Sequence, residues 1–181
     1  MSTEASHPLY GQRTLEFVTS SLEYCKLLEH AKQCTKEELT AQLTATLPLI
    51  YSRAVLLEPH DSQEWDLEEG VSEETYEAIR ATLIQRYGED DVYLETFDND
   101  MQYSDAPIAQ HLSEQLADIY QDLANFLFIY REGMEELMAA ALDRCIINFQ
   151  EYWGQRLVNA LRALHQIRYS NTATDNGQLA Y

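Results

Sequence analysis

Between residues 112 and 130, Leu112, Leu116, Ile119, Tyr120, Leu123, Phe126, Leu127 and Tyr130 recur at spacings of three and four. Each residue of an α-helix turns the side chain by about 100°, so this spacing gathers them on one stripe. No glycine or proline interrupts the run. A helix of roughly eighteen residues is about 27 Å long, enough to cross a small domain. The stretch therefore reads as the central staff of a helical bundle, with other helices packed round its apolar side. A second row, His111, Glu114, Asp118 and Asp122, runs along the same helix away from that stripe. Its role, as a site or as a solvated flank, is the main functional question the sequence poses.

The rest of the chain repeats the helical pattern. Six glycines and four prolines in 181 residues leave few turns, which favours helices on short loops over sheet. One helix is expected from about residue 14, with Leu15, Val18, Leu22, Cys25 and Leu28 facing inward. Thr35 and Glu38 form a capping box opening a second helix on Leu39, Leu43, Leu47, Ile50, Ala54 and Leu57. Pro48 falls inside it, so a kink or a break is expected there. In the acidic loop 60–70, Trp65 is expected to tuck against the bundle. Ser72 then caps a third helix ending at Gly88. Residues 89–106 read as irregular, with the brief alternation of Val92, Leu94 and Phe97 fitting either a short strand or an extended loop.

The last stripe, from Met138 through Trp153, Leu157, Leu161 and Leu164 to Ile167, is unbroken. Thirty-odd helical residues span about 50 Å. Either Gly154 bends this helix round the core, or its end projects and a homodimer covers Leu157, Leu161 and Leu164. The expected fold is an all-α, single-domain bundle of five or six helices with a long C-terminal helix. A flexible segment is expected at 1–10, the bundle at 11–169 and a disordered polar tail at 170–181.

Charge narrows the partners. Sixteen acids against Arg80 and Arg86 place −14 of the net −19 within residues 58–105. That field repels phosphate backbones, excludes nucleic acid as the expected ligand, and leaves a protein partner of basic character. No run approaches eighteen apolar residues, so no membrane span is expected. Three cysteines without a C-x-x-C, and a start without a signal-peptide pattern, fit a cytoplasmic protein.

Two sets of residues carry candidate chemistry. Asp118 and Asp122 lie one turn apart, and Arg53 and Arg156 border apolar stripes on the helices expected to pack against them. At least one carboxylate is expected to pair with one of these arginines; with Trp153, these are the candidate binding residues. The rival is cation binding by the same carboxylates with His111 or Glu114. The second set is Glu74, Glu77, Glu95 and Asp98, in the loose pattern E-x-x-E then E-x-x-D. This resembles all-α nucleotide pyrophosphatases, which hold Mg²⁺ against a triphosphate with such oxygen ligands. No Gly-rich phosphate loop, G-x-S-x-G or complete calcium loop is present. The preferred reading is a non-enzymatic interaction module without a cofactor, the alternative a Mg²⁺-dependent hydrolase of nucleotides.

Four runs are similar to those of an uncharacterised bacterial family, a domain of unknown function. They are Phe97-Asp-Asn-Asp-Met-Gln-Tyr-Ser-Asp105, Leu116-Ala-Asp-Ile-Tyr-Gln-Asp-Leu123, Glu151-Tyr-Trp-Gly-Gln-Arg-Leu-Val-Asn-Ala-Leu161 and Leu47-Pro-Leu-Ile-Tyr51. The resemblance spans roughly residues 14–168. It implies a helical domain of bacterial cytoplasmic origin and brings no activity or catalytic residue with it.

Overall fold

The central stripe forms helix α4, Leu112–Tyr130, in a computed structural model that describes residues 8–63, 65–95 and 108–175. Leu112, Leu116, Ile119, Leu123 and Phe126 are buried, each such side chain contributing about 1.5–3 kcal/mol of apolar burial. Helices α1 (Gln12–Glu29), α3 (Glu73–Tyr87), α5 (Glu135–Asn148) and α6 (Gly154–Asp175) all pack on α4. Helix α2 (Lys36–Ala54) lies outside it, against α1 and α6. Among the described residues the fold is thus an all-α bundle with one helix at its axis.

Local signals in the chain set several boundaries. The Thr35 hydroxyl accepts the Glu38 amide at 3.2 Å while Glu38 accepts the Thr35 amide at 2.8 Å, closing the capping box of α2. Ser72 caps α3 by accepting the Thr75 amide. Gly88 ends that helix at φ +56°, a conformation open to glycine. Helix α2 continues through Pro48 without a break. Proline in a helix interior costs about 3 kcal/mol, and here Leu43, Leu47 and Ile50 stay fully buried on either side of an exposed ring. The brief alternation after Gly88 is a strand: β1 (Val92–Glu95) pairs antiparallel with β2 (Ile108–His111), Val92 opposite His111. Phe97 lies outside the described residues.

Helix α1 is turned in part from the expected face: Cys25 and Leu28 are buried and Val18 packs on the core as expected, but Leu15 and Leu22 are 45% and 42% exposed, while Phe17 and Tyr24 point into the core. The helix carries two apolar lines, and the inner one holds the aromatics, which bury more area. Tyr24 also places its hydroxyl on the Leu116 carbonyl, 2.8 Å away in the core. Trp65 is likewise 46% exposed; Leu67 and Val71, not the indole, pin its loop to the bundle. The N-terminal boundary moves too. Leu9 is fully buried and its carbonyl accepts the Tyr130 hydroxyl at 2.6 Å, so the chain is part of the bundle from Pro8.

The last stripe is two α-helices joined by a π-helical segment, Phe149–Trp153. The Gly154 amide donates to the Phe149 carbonyl five residues back. A Cβ at Gly154 would overlap that carbonyl and touch the Phe149 ring. Past this segment α6 packs on α2 and α4, and Leu157 and Leu164 are fully buried within the same chain. Leu161 is partly buried against the same core, so the leucines from which a homodimer was expected are largely covered within the chain. Helix α6 runs through Asp175, past the boundary expected at Ser170. No described helix is long and apolar enough to cross a membrane.

Candidate functional site

The polar row of α4 is drawn into contacts with its neighbours. Asp118 accepts the Tyr76 hydroxyl from α3 at 2.7 Å and the Tyr152 hydroxyl from the π segment at 3.1 Å. Arg156 of α6 reaches its Oδ2 at 3.1 Å. The Arg156 guanidinium also lies 4.2 Å over the Tyr152 ring, which holds its fork in place. Burial, then the bond to Asp118, pushes the Tyr76 hydroxyl far above its ordinary range, so it remains a donor. Asp118 therefore ties α3, α4 and α6 together through three donors. Of the pairings open to the two carboxylates and two arginines, Arg156–Asp118 is the one formed. Arg53 pairs instead with Glu16 on α1 at 2.9 Å.

One turn on, Asp122 accepts the Asn148 side-chain amide at 2.5 Å. Burial raises its pKa and the nearby Asp118 charge adds to this; the Asn148 bond, Arg144 and Arg156 pull the other way. Glu114 faces Arg80 at 3.6 Å, which is already engaged with Glu77. His111 approaches Asp91 at 3.2 Å. Asp91 is buried and accepts both the amide (2.6 Å) and the hydroxyl (2.9 Å) of Ser113, placing a carboxylate at the start of α4 where the helix dipole favours it. Asp143 makes a similar clamp on the loop before α3. It accepts the His60 and Ser62 amides at 2.7 and 2.9 Å.

Trp153 is fully buried, its indole N–H donating to the Cys145 carbonyl at 3.2 Å, so it is a core residue and not a ligand contact. Glu74 and Glu77 are exposed on α3. Asp98, in the other half of the Mg²⁺ pattern, lies outside the described residues, as does the run 97–105. Among the described residues, no group of three or more His, Cys, Asp or Glu side chains converges as metal ligands do.

Sequence reasoning missed a cleft of about 200 Å³ between α4, α5 and the loop before α3. Gln121, Asp122 and Asn125 of α4 face Arg144 and Asn148 of α5 across it, over Phe126, Ile129 and Ala141. Glu68 and Glu69 edge its mouth. Asn125 Oδ1 accepts the Val71 amide at 2.9 Å, which fixes its flip; its amino group has no partner among the described residues. The available signal was helical spacing: Asp122 to Asn125, and Arg144 to Asn148, each put polar groups one turn apart beside core positions.

Fold and site together describe a helical domain in which Asp91, Asp118 and Asp143 tie elements together, with a polar cleft between α4 and α5. Residues 9–170 match the family model described as Domain of unknown function (DUF5063), and the chain belongs to that family. It is similar to the crystal structure of protein BF1032 from Bacteroides fragilis, with 36% identity and a TM-score of 0.82, covering 91% of this chain and 97% of that one. No curated protein matches the chain.

Proposed function

We propose that this protein is a non-enzymatic interaction module that receives a basic segment of a partner protein on its loop before α3. The observation that carries the reading is Trp65, 46% exposed in a segment where Asp61, Asp66, Glu68 and Glu69 are exposed as well. Ile147 of α5, half exposed, lines the same shallow groove. None of these four acids has an ion pair among the described residues. An exposed indole beside unpaired carboxylates suits an arginine or lysine, which stacks on the ring while its charge meets the acids. Exposed Glu73 and Glu74 at the start of α3 extend the field and would steer such a partner at low salt.

Titration with arginine-rich and lysine-rich peptides tests this, followed by crosslinking to proteins of the native cell. The other tryptophan is buried in the core, so a change in indole emission reports Trp65. Read by calorimetry, which does not need the indole, binding should weaken at least tenfold in Trp65→Ala, and as salt rises. Crosslinks should join basic residues of the partner to the loop. Binding indifferent to Trp65→Ala and to a Glu68→Gln, Glu69→Gln variant would overturn the reading. So would nucleotide hydrolysis with Mg²⁺ that is lost in Glu74→Ala.

A further inference from the structure

Helix α2 carries the longest stretch of the chain without an Asp, Glu, Lys or Arg, from Leu39 to Ser52. In a buried helix such a run needs no explanation, but α2 lies on the outside of the bundle and shows Gln42, Ala45, Leu49 and Ser52 to solvent. These are three and four apart, one stripe of the helix. Helix α1 packs beside it and exposes Leu15, Thr19 and Leu22 at the same spacing. A shallow groove between the two is lined by Tyr10, Leu15, Thr19 and Leu49. Of the charges along it, Glu16 and Arg53 pair with each other at 2.9 Å, and exposed Glu23 has Lys26 three residues on. Depletion of charge, more than apolarity as such, marks the centre of an interface.

Charge also selects the occupant. Residues 58–105 hold −14 of the net −19, whereas residues 1–57 carry six acids against five bases. Two copies of so acidic a chain repel each other, and a face close to neutral is where they meet at least cost. A basic partner is drawn to the acidic loop instead. The stripe also fits itself: paired antiparallel across a two-fold axis, α2 sets Leu49 against the small Ala45 of the second copy, and Ala45 against its Leu49. A face two helices wide and about 27 Å long is of the order of the roughly 800 Å² that each partner of a stable dimer buries. We propose that the α1–α2 face joins two copies of this chain in a symmetric dimer centred on α2, with Leu15 and Leu22 of α1 at its flanks. The dimer uses none of the residues of the loop before α3, and either interaction can fail alone.

Light scattering and sedimentation of the full chain test it. The chain should be dimeric at ~100 μM. Leu49→Glu and Leu22→Glu, both at exposed positions, should each weaken the dimer about tenfold or more, while circular dichroism stays that of a folded helical chain. Val158→Glu, at a similarly exposed position on α6, should leave the dimer intact. Salt separates this face from the acidic loop. Raising it from ~50 to ~500 mM should tighten the dimer about threefold or more, because screening relieves the repulsion between two chains of net −19. A dimer held by basic residues of one copy on the acidic loop of the other would loosen. The proposal is overturned by a monomer at ~100 μM in high salt, by a dimer that survives both leucine variants, by one that Val158→Glu dissociates as well, or by one that salt weakens.

Discussion

Replacing Asp118 by alanine removes the acceptor on which three side chains from three elements converge. Breaking a buried ion pair from one side costs about 3–5 kcal/mol. Here the Asp118 side chain is 12% exposed but Arg156 is 28% exposed, so water recovers part of the guanidinium's solvation. Tyr152 is 44% exposed and its hydroxyl also finds water, whereas the half-buried Tyr76 loses its partner more completely. A net loss of about 2–3 kcal/mol follows, equivalent to a melting temperature lower by roughly 5–10 °C for a domain of this size. Urea and thermal unfolding of the metal-free protein measure it. Asp118→Asn, which keeps a carbonyl for one tyrosine and gives up the charge, should fall between the two. A double-mutant cycle with Arg156→Gln should return a coupling of about 1 kcal/mol or more. If Asp118 were instead a repelled ligand of an empty cation site, its removal would leave stability unchanged or raise it. Either result refutes the structural role assigned to it.

At Gly154, alanine should destabilise by about 1–3 kcal/mol despite its better helix propensity, because the added Cβ meets the Phe149 carbonyl; denaturant midpoints give the sign directly. Asp143 supplies a pH dependence. Burial alone would raise its pKa, but the Ser62 and His60 amides outweigh this and hold it below the ordinary carboxylate value. A depressed folded pKa contributes stability above the unfolded value near 4, which is lost as pH falls through the folded one. Asp143→Asn should therefore lower the melting temperature at neutral pH, with the two curves converging in acid.

The parts of the fold that were legible in the chain are those decided within a few residues or by a single apolar stripe. Thr35 and Glu38 close their box locally, Ser72 caps its own helix, and α4 has one stripe to bury. Helix α1 was legible at Val18, Cys25 and Leu28 but not at its other positions, because Leu15–Leu22 and Phe17–Tyr24 are rival stripes and packing against the neighbouring helices selects the aromatic one. Trp65 is exposed because Leu67 and Val71 already fill the contact it was expected to make. At the site, α4 and its neighbours bring Asp118 to Arg156, while Arg53 lies nearer Glu16 on α1 than either carboxylate. The cleft depends on which faces of α4 and α5 oppose each other, and spacing within one helix says nothing of that.

The π-helical turn at Phe149–Trp153 gives the long C-terminal run a place where its residue count can change. It holds one residue more than regular α-geometry needs. A one-residue deletion there would restore α-geometry and leave later side chains near their present directions, whereas a deletion just beyond it, at Gln155, would turn every later one by about 100°. Val158 would then occupy the direction of Leu157, and His165 that of Leu164, presenting a β-branched residue and an imidazole to the core and turning two leucines away from it. Substitutions at solvent-facing positions such as Gln150 and Glu151 leave this phase untouched. The segment thus acts as a slip joint ahead of α6: it can give up a residue, and α6 just past it cannot.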